Sequence, residues 1–518
     1  MKTARLLIAL LAVLLAAPTA APAFQLFRTE EATIADIQAA LTARTLTCRA
    51  LVQMYLDRIE TYDKKGPGLN AIVTINPDAL KVADALDAKL ARSGPAGPLH
   101  CVPIIVKDNY ETVDMPTSAG SLSLKGAMSK GDAFQVRKLR EAGAIMLVKT
   151  NMAEFAFDPF ETVGSLLPGY TKNPYALERV TAGSSGGTAA AVAANFGAVG
   201  LGTDTGNSIR GPASHTSLVG IRSTMGLTSR DGIVPLFLDK DVGGPMTRTV
   251  TDAVTIFDLI AGPDPADPVT AASQGKRPPS YMTSLVKDGV RGTRLGVVRQ
   301  LFTRENTDPE VMTRMEQALA DLKRLGADLV DPFRVAEIDD IPPPSLFCLR
   351  FKFDINEYLP RLAPSAPVKS LEDIIKSTKF HPSIEKRLLD RQAELPLAEN
   401  PRCIKSLETT ARLREAVQKA MDDVRVDALV YPTWAFPPRL IGDLNTPHGN
   451  NSPRLSPPTG FPAITVPMGF VHGTLPVGLQ VFGRAWSEPT LIKIVYGYEQ
   501  ATQHRRPPAS TPPLPTQP

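Results

Sequence analysis

Histidine and cysteine are scarce in this chain, six and four residues of 518, and none of them is grouped at the spacing of a zinc site. No metal and no cofactor is therefore expected. A basic patch of the kind that grips nucleic acid is lacking too. Lysine and arginine number 57 against 53 aspartate and glutamate, for a formal net charge of +4, and the charges are not concentrated anywhere. Internal repeats are absent. Long apolar runs are also missing, with one exception at the start. Leu6–Ala17 follows Lys2 and Arg5 and precedes Pro18 and an Ala21-Pro22-Ala23 cleavage pattern. Such a run falls short of the roughly 20 residues that a bilayer span takes. Residues 1–23 thus read as a secretory signal peptide, with a retained anchor as the alternative. Removing them takes two basic residues and no acid, so the net charge falls from +4 to +2. The expectation is an exported protein, periplasmic or secreted, with no membrane association once the signal is cleaved. Cys48, Cys101, Cys348 and Cys403 could pair in such a compartment. Four cysteines allow three pairings and the spacing selects none, although Cys348 and Cys403 could pair within one region.

What is present is layered. Thr33–Ala43 carries Ile34, Ile37, Ala40 and Leu41 on one face, with Thr33 and Asp36 as a capping pair. Short apolar runs at Val102–Val106 and Ala144–Val148 alternate with helical stretches such as Ala133–Glu141. That alternation predicts an α/β structure with buried, largely parallel strands. Ala198–Gly202 and Arg294–Val298 read as further strands, and Gly262–Pro279 as a surface loop. The region from about 300 to 425 is more helical and more charged, and Asp427–Tyr431, Pro462–Pro467 and Pro476–Phe482 are late strands. These strands must return to the same sheet, which predicts one large domain, residues 24–505, with an inserted helical cap. Residues 506–518, within a proline-rich end that begins near Thr502, read as a disordered or extended tail.

The chemistry concentrates in two loops and one lysine. Gly183-Ser184-Ser185-Gly186-Gly187 precedes an alanine-rich helix, and Gly202-Thr203-Asp204-Thr205-Gly206-Asn207-Ser208-Ile209-Arg210 follows a buried strand. Glycine-rich turns let backbone N–H groups converge, since no Cβ blocks the approach. Thr205, Gly206, Asn207 and Ser208 could aim such donors at a developing oxyanion. Ser184 and Ser185 could equally be helix caps, and a glycine-rich loop alone could be an ordinary turn. Lys107 ends the apolar run Ile104-Ile105-Val106. It would act as a base near neutral pH only if burial lowered it from its ordinary value of about 10.4. The loop also fits the G-x-S-x-G nucleophile elbow with Ser185 as nucleophile, but Asn173–Arg179 before it reads as a loop, where that motif needs a strand. Neither His448 nor His472 has a distinguishing context.

These residues resemble the amidase signature family of Ser–Ser–Lys hydrolases, over nearly the whole chain. Gly97–His100 with Val102–Asn109 resemble the lysine segment, Ala182–Thr188 the first serine loop and Gly202–Pro212 the second. Gly243–Met246 and Gly460–Gln480 resemble further segments. The resemblance implies a mixed, mainly parallel sheet covered by helices on both faces. It implies Ser208 as acyl-forming nucleophile, Ser184 as bridging serine and Lys107 as base, then acid. Thr205 to Ser208 would form the oxyanion hole. Ser185 would support by hydrogen bonding, and Asp204 and Arg210 as an ion pair. Asn207 stands where a second glycine is frequent, and its tolerance of left-handed backbone should preserve the hole. Cys101 replaces a usual glycine. The activity so implied is hydrolysis of a small-molecule carboxylic amide. The alternatives are a non-catalytic binding protein on the same fold and an amidotransferase-type subunit. Which amide is cleaved stays open, as does the oligomeric state. Phe347–Tyr358 and Tyr431–Phe436 are the expected pocket segments.

Overall fold

A computed structural model describes residues 27–363 and 365–515. The signal peptide expected at 1–23 lies outside the described residues. From the amino end, strands run β1 Ile72–Ile75, β2 Pro103–Lys107, β3 Ile145–Thr150, β4 Lys172–Asn173, β5 Ala176–Val180, β6 Val199–Asp204 and β7 Val219–Arg222. They continue as β8 Val242–Thr247, β9 Arg294–Val297, β10 Asp328–Val330, β11 Ala428–Pro432, β12 Ala463–Val471 and β13 Leu475–Phe482. Eleven of them form one sheet in the order β1-β3-β2-β6-β8-β7-β12-β13-β11-β9-β10, and β4 and β5 make a small hairpin.

The sheet is mixed, as expected. Parallel pairs make two blocks, β3-β2-β6 and β11-β9-β10, while the strands between the blocks pair antiparallel. Every residue of β2, β3, β6, β12 and β13 is buried. Side chains alternate between faces along a strand, so both faces are covered, by helices and the loops between them. The late strands do return to this sheet, β12 between β7 and β13, and β13 beside β11. At the amino end Thr33 and Asp36 form the expected reciprocal cap of helix Ile34–Thr42.

The cap is smaller than the sequence suggested. Helix Pro309–Arg324 packs on the sheet, contributing Val311, Met315, Leu319 and Leu322 to the main core, and β10 extends the sheet's edge. A strand of three residues, Asp328–Val330, carries too little periodicity to be seen within a helical stretch. The separate cap consists of helices Phe351–Leu362, Leu371–Ser377 and Glu385–Gln392. Their Phe351, Ile355, Leu359 and Leu388 share a small core with Phe155, Leu236 and Phe237 of the main body. Disulfides join Cys48 to Cys101 and Cys348 to Cys403. The second ties the cap's leading edge to helix Pro401–Val424.

The described residues of the tail turn at Pro508–Thr511 and pack on the body, which corrects the disordered reading. Thr511 is buried. The Arg58 guanidinium donates to the carbonyls of Thr511 and Pro512, at 2.9 and 3.0 Å, and the Tyr62 hydroxyl to that of Pro512 at 2.8 Å. Composition marks such a stretch as unable to build a core of its own; it says nothing about docking on another.

Candidate active site

Lys107 is the last residue of β2 and fully buried. Strand β6 runs parallel beside it, Ile104 opposite Val199 and Val106 opposite Leu201, so both strands end at the same edge. Lys107 Nζ there donates to Thr203 Oγ1 and to Ser184 Oγ, each at 2.7 Å. Asn109 Nδ2 also donates to Thr203 Oγ1, at 3.1 Å. Among the described residues no carboxylate pairs with Lys107. Burial lowers its ammonium to about 7, against an upward pull from the charges of Asp204 and Asp241.

The first serine loop reaches this lysine because β6 meets the loop and its helix with two glycines, Gly200 and Gly202. A Cβ on Gly200 would lie 2.6 Å from Thr188 Cγ2 and 2.8 Å from Val192 Cγ2, both on helix Gly186–Ala193. One on Gly202 would lie 3.0 Å from Ser185 Oγ. Ser185 is thereby laid along the strand, where it donates to Thr203 O (3.2 Å) and accepts from Thr203 N (3.3 Å). It supports the loop and does not line the cavity.

Asp204 shapes the second loop. Its carboxylate accepts from the N–H groups of Ile209 and Arg210 (3.3 and 3.4 Å) and from Arg210 Nε (3.0 Å). Arg222 adds a second buried ion pair at 3.2 Å. Burial alone would raise this carboxyl, but Arg210 and Arg222 outweigh it and hold it below the ordinary range. Arg210 also donates to Gly206 O at 3.0 Å. The N–H groups of Gly206, Asn207 and Ser208 carry no hydrogen bond to a protein group among the described residues. They are free to serve a ligand.

Asn207 works differently from expectation. Its backbone is not left-handed, and neither is that of Gly206. The side chain instead ties the two loops together, donating to Gly183 O (2.9 Å) and Pro159 O (3.1 Å) and accepting from Trp434 Nε1 (2.9 Å). Thr205 Oγ1 donates to Asp241 at 2.5 Å. Burial raises the Asp241 carboxyl to about 6, although Thr205 and the N–H groups of Leu236 and Phe237 hold it down in part.

Thr205, Gly206, Asn207 and Ser208 line a cavity of about 500 Å³. Phe347 and Leu349 line it as expected, whereas Phe351, Ile355 and Tyr358 lie in the cap core. Trp434 stands one layer behind the wall, edge-on to Phe160 at 6.1 Å. The structure thus joins Lys107 to Ser184 directly and sets Ser208 at the cavity, without a hydrogen bond between the two serine hydroxyls. Sequence reasoning missed Thr203, Asn109, Arg222 and Asp241. The first two fall inside the quoted motifs, Thr203 on β6 and Asn109 in the turn that follows β2; for Arg222 and Asp241 no local signal exists.

A buried lysine on one strand, facing serine loops on either side of its neighbour, defines an amidase signature enzyme. The amidase family model matches residues 50–492, and the chain belongs to that family of enzymes acting on C–N bonds. Among solved structures it is similar to the native peptide amidase from Stenotrophomonas maltophilia. That likeness has a TM-score of 0.83 and 38% identity, over 92% of this chain and 98% of that one. A probable amidase of Arabidopsis thaliana is 35% identical over 505 residues, 93% of this chain and 92% of the relative. A glutamyl-tRNA(Gln) amidotransferase subunit from Acinetobacter baumannii is 35% identical over 486 residues, 90% of this chain and 96% of its own length.

Proposed function

We propose that the protein hydrolyses a linear carboxylic amide through an acyl-enzyme on Ser208. The observation that carries this reading is a buried lysine at about 7, bonded to Ser184 at 2.7 Å and paired with no acid among the described residues. Neutral Lys107 accepts the Ser184 proton while Ser184 takes that of Ser208. Ser208 Oγ then attacks the amide carbon. The carbonyl oxygen gathers negative charge, which the unpaired N–H groups of the 205–208 loop stabilise; losing one such donor typically costs about 3 kcal/mol. The proton returns by the same path to the departing nitrogen, the C–N bond breaks, and water repeats the sequence on the ester. Similarity to a peptide amidase favours an acyl part of peptide-like size.

A fluorophosphonate probe tests the assignment. Ser208 should be labelled in wild-type protein and labelling should disappear in Ser208→Ala; a folded wild type that stays unlabelled overturns it. Similarity to the amidotransferase relative supports a second reading, glutamine-dependent ammonia supply, which a glutaminase assay would detect. A secretory leader at residues 1–23, as the sequence pattern there reads, would speak against it and for export. Sequencing the amino terminus of protein recovered outside the cytoplasm checks that point, and a start after Ala23 is expected.

A further inference from the structure

The wall of the Ser208 cavity is electrically lopsided. Phe237, Phe347 and Leu349 make part of it apolar, yet Arg387, Arg391 and Arg402 also line it, and no acidic residue among those described does. The helices around the cap supply all three. Arg387 and Arg391 are four residues apart on helix Glu385–Gln392, hence on one face, and Arg402 opens helix Pro401–Val424. Carboxylates near the first two are only loosely engaged. Asp158 Oδ2 lies 3.8 Å from Arg387, and Glu394 Oε1 lies 4.0 Å from Arg391. Arg387 is further fixed by donating to Phe157 O at 2.6 Å. Arg391 Nε is buried and donates to nothing among the described residues. Burial, with smaller help from the like charges of Arg402 and Arg387, outweighs Glu394 and Asp390 and holds the Arg391 guanidinium below its ordinary range. Like charges gathered round one cavity repel, and a bound anion relieves that repulsion.

We propose that the amide substrate carries a carboxylate on the part that fills this cavity, received by Arg391 and Arg402. This rests on the amidase reading and names its substrate class: half-amides of dicarboxylic acids and other acidic acyl amides. Water supplies hydroxyl to the acyl carbon and a proton to the leaving ammonia, so a half-amide yields a dicarboxylic acid and ammonia. Guanidinium and carboxylate match in planar, two-point geometry, which suits an arginine pair better than a diffuse basic rim would.

The test compares the half-amides from succinamic to suberamic acid, each against its methyl ester, by ammonia release. At one chain length the acid should exceed its ester in kcat/KM by about tenfold or more, chiefly through KM, and salt at about 0.5 M should narrow the gap. Arg391→Gln and Arg402→Gln should each bring the acid-to-ester ratio towards one, while Arg391→Lys should retain part of it. Esters cleaved as well as acids at every length overturn the inference and leave the amidase reading standing. If Ser208 fails to label and no amide turns over, the amidase reading is what fails. Calorimetric titration with the free dicarboxylates then decides for the site: binding weakened by Arg391→Gln supports it, and no binding overturns it.

Discussion

Lys107 carries a conflict that can be measured. Burial holds its ammonium at about 7, against the upward pull of Asp204 and Asp241, whereas an unfolded lysine keeps its proton to about 10.4. Losing the proton creates the base, so kcat/KM should rise with pH through about 7. The linked stability has a definite sign. Between about 7 and 10.4 the unfolded chain binds the extra proton, so the folded state gains as pH rises through that window. Below 7 both states are protonated and the full cost of the buried charge is present, on the order of 4 kcal/mol. Lys107→Met should therefore abolish turnover, by at least about 100-fold, yet melt higher than wild type at pH 5 to 6. The advantage should shrink as pH approaches 10. A pH–rate profile flat from 5 to 9 would sink the assignment.

At the scale of elements, the site depends on how closely helix Gly186–Ala193 approaches β6. The approach is licensed at Gly200, where Thr188 and Val192 occupy the room of a side chain. Gly200→Ala should cost about 1–3 kcal/mol by overpacking and should lower kcat as well, because the same helix carries the Ser184 loop at its start. Unfolding and turnover measured on one sample check both halves. Much of this element was legible in the amino-acid order: the run ending in Lys107, the two serine loops and the alanine-rich helix all stand where local pattern put them. The rest depends on strand neighbours. Arg222 reaches Asp204 from β7, and Asp241 reaches Thr205 from the segment before β8, and no local pattern states which strands lie side by side. The Asn207 contacts were hidden for the same reason, since Trp434 lies 227 residues away.

Across the whole molecule, the ends of the described chain meet. Arg505 pairs with Glu31 at 2.6 Å, Arg58 pairs with Glu30 and holds the carbonyls of Thr511 and Pro512, and Leu514 packs against the amino-terminal core. Deleting residues 506–518 should leave Arg58 buried with two hydrogen bonds missing, since only the carbonyls of Ala194 and Asn195 and the Glu30 carboxylate remain. The truncated protein should lose about 2 kcal/mol or more while keeping its pH–rate midpoint, because the strap does not touch Lys107; chemical denaturation and a rate profile read the two separately. The same clamp bears on how the chain is made. Arg58 leaves the ribosome long before its partner Thr511, 453 residues later, so the last two hydrogen bonds of its guanidinium form only when synthesis is almost finished. The clasp is the last part of the fold to be made and the first that a truncation removes.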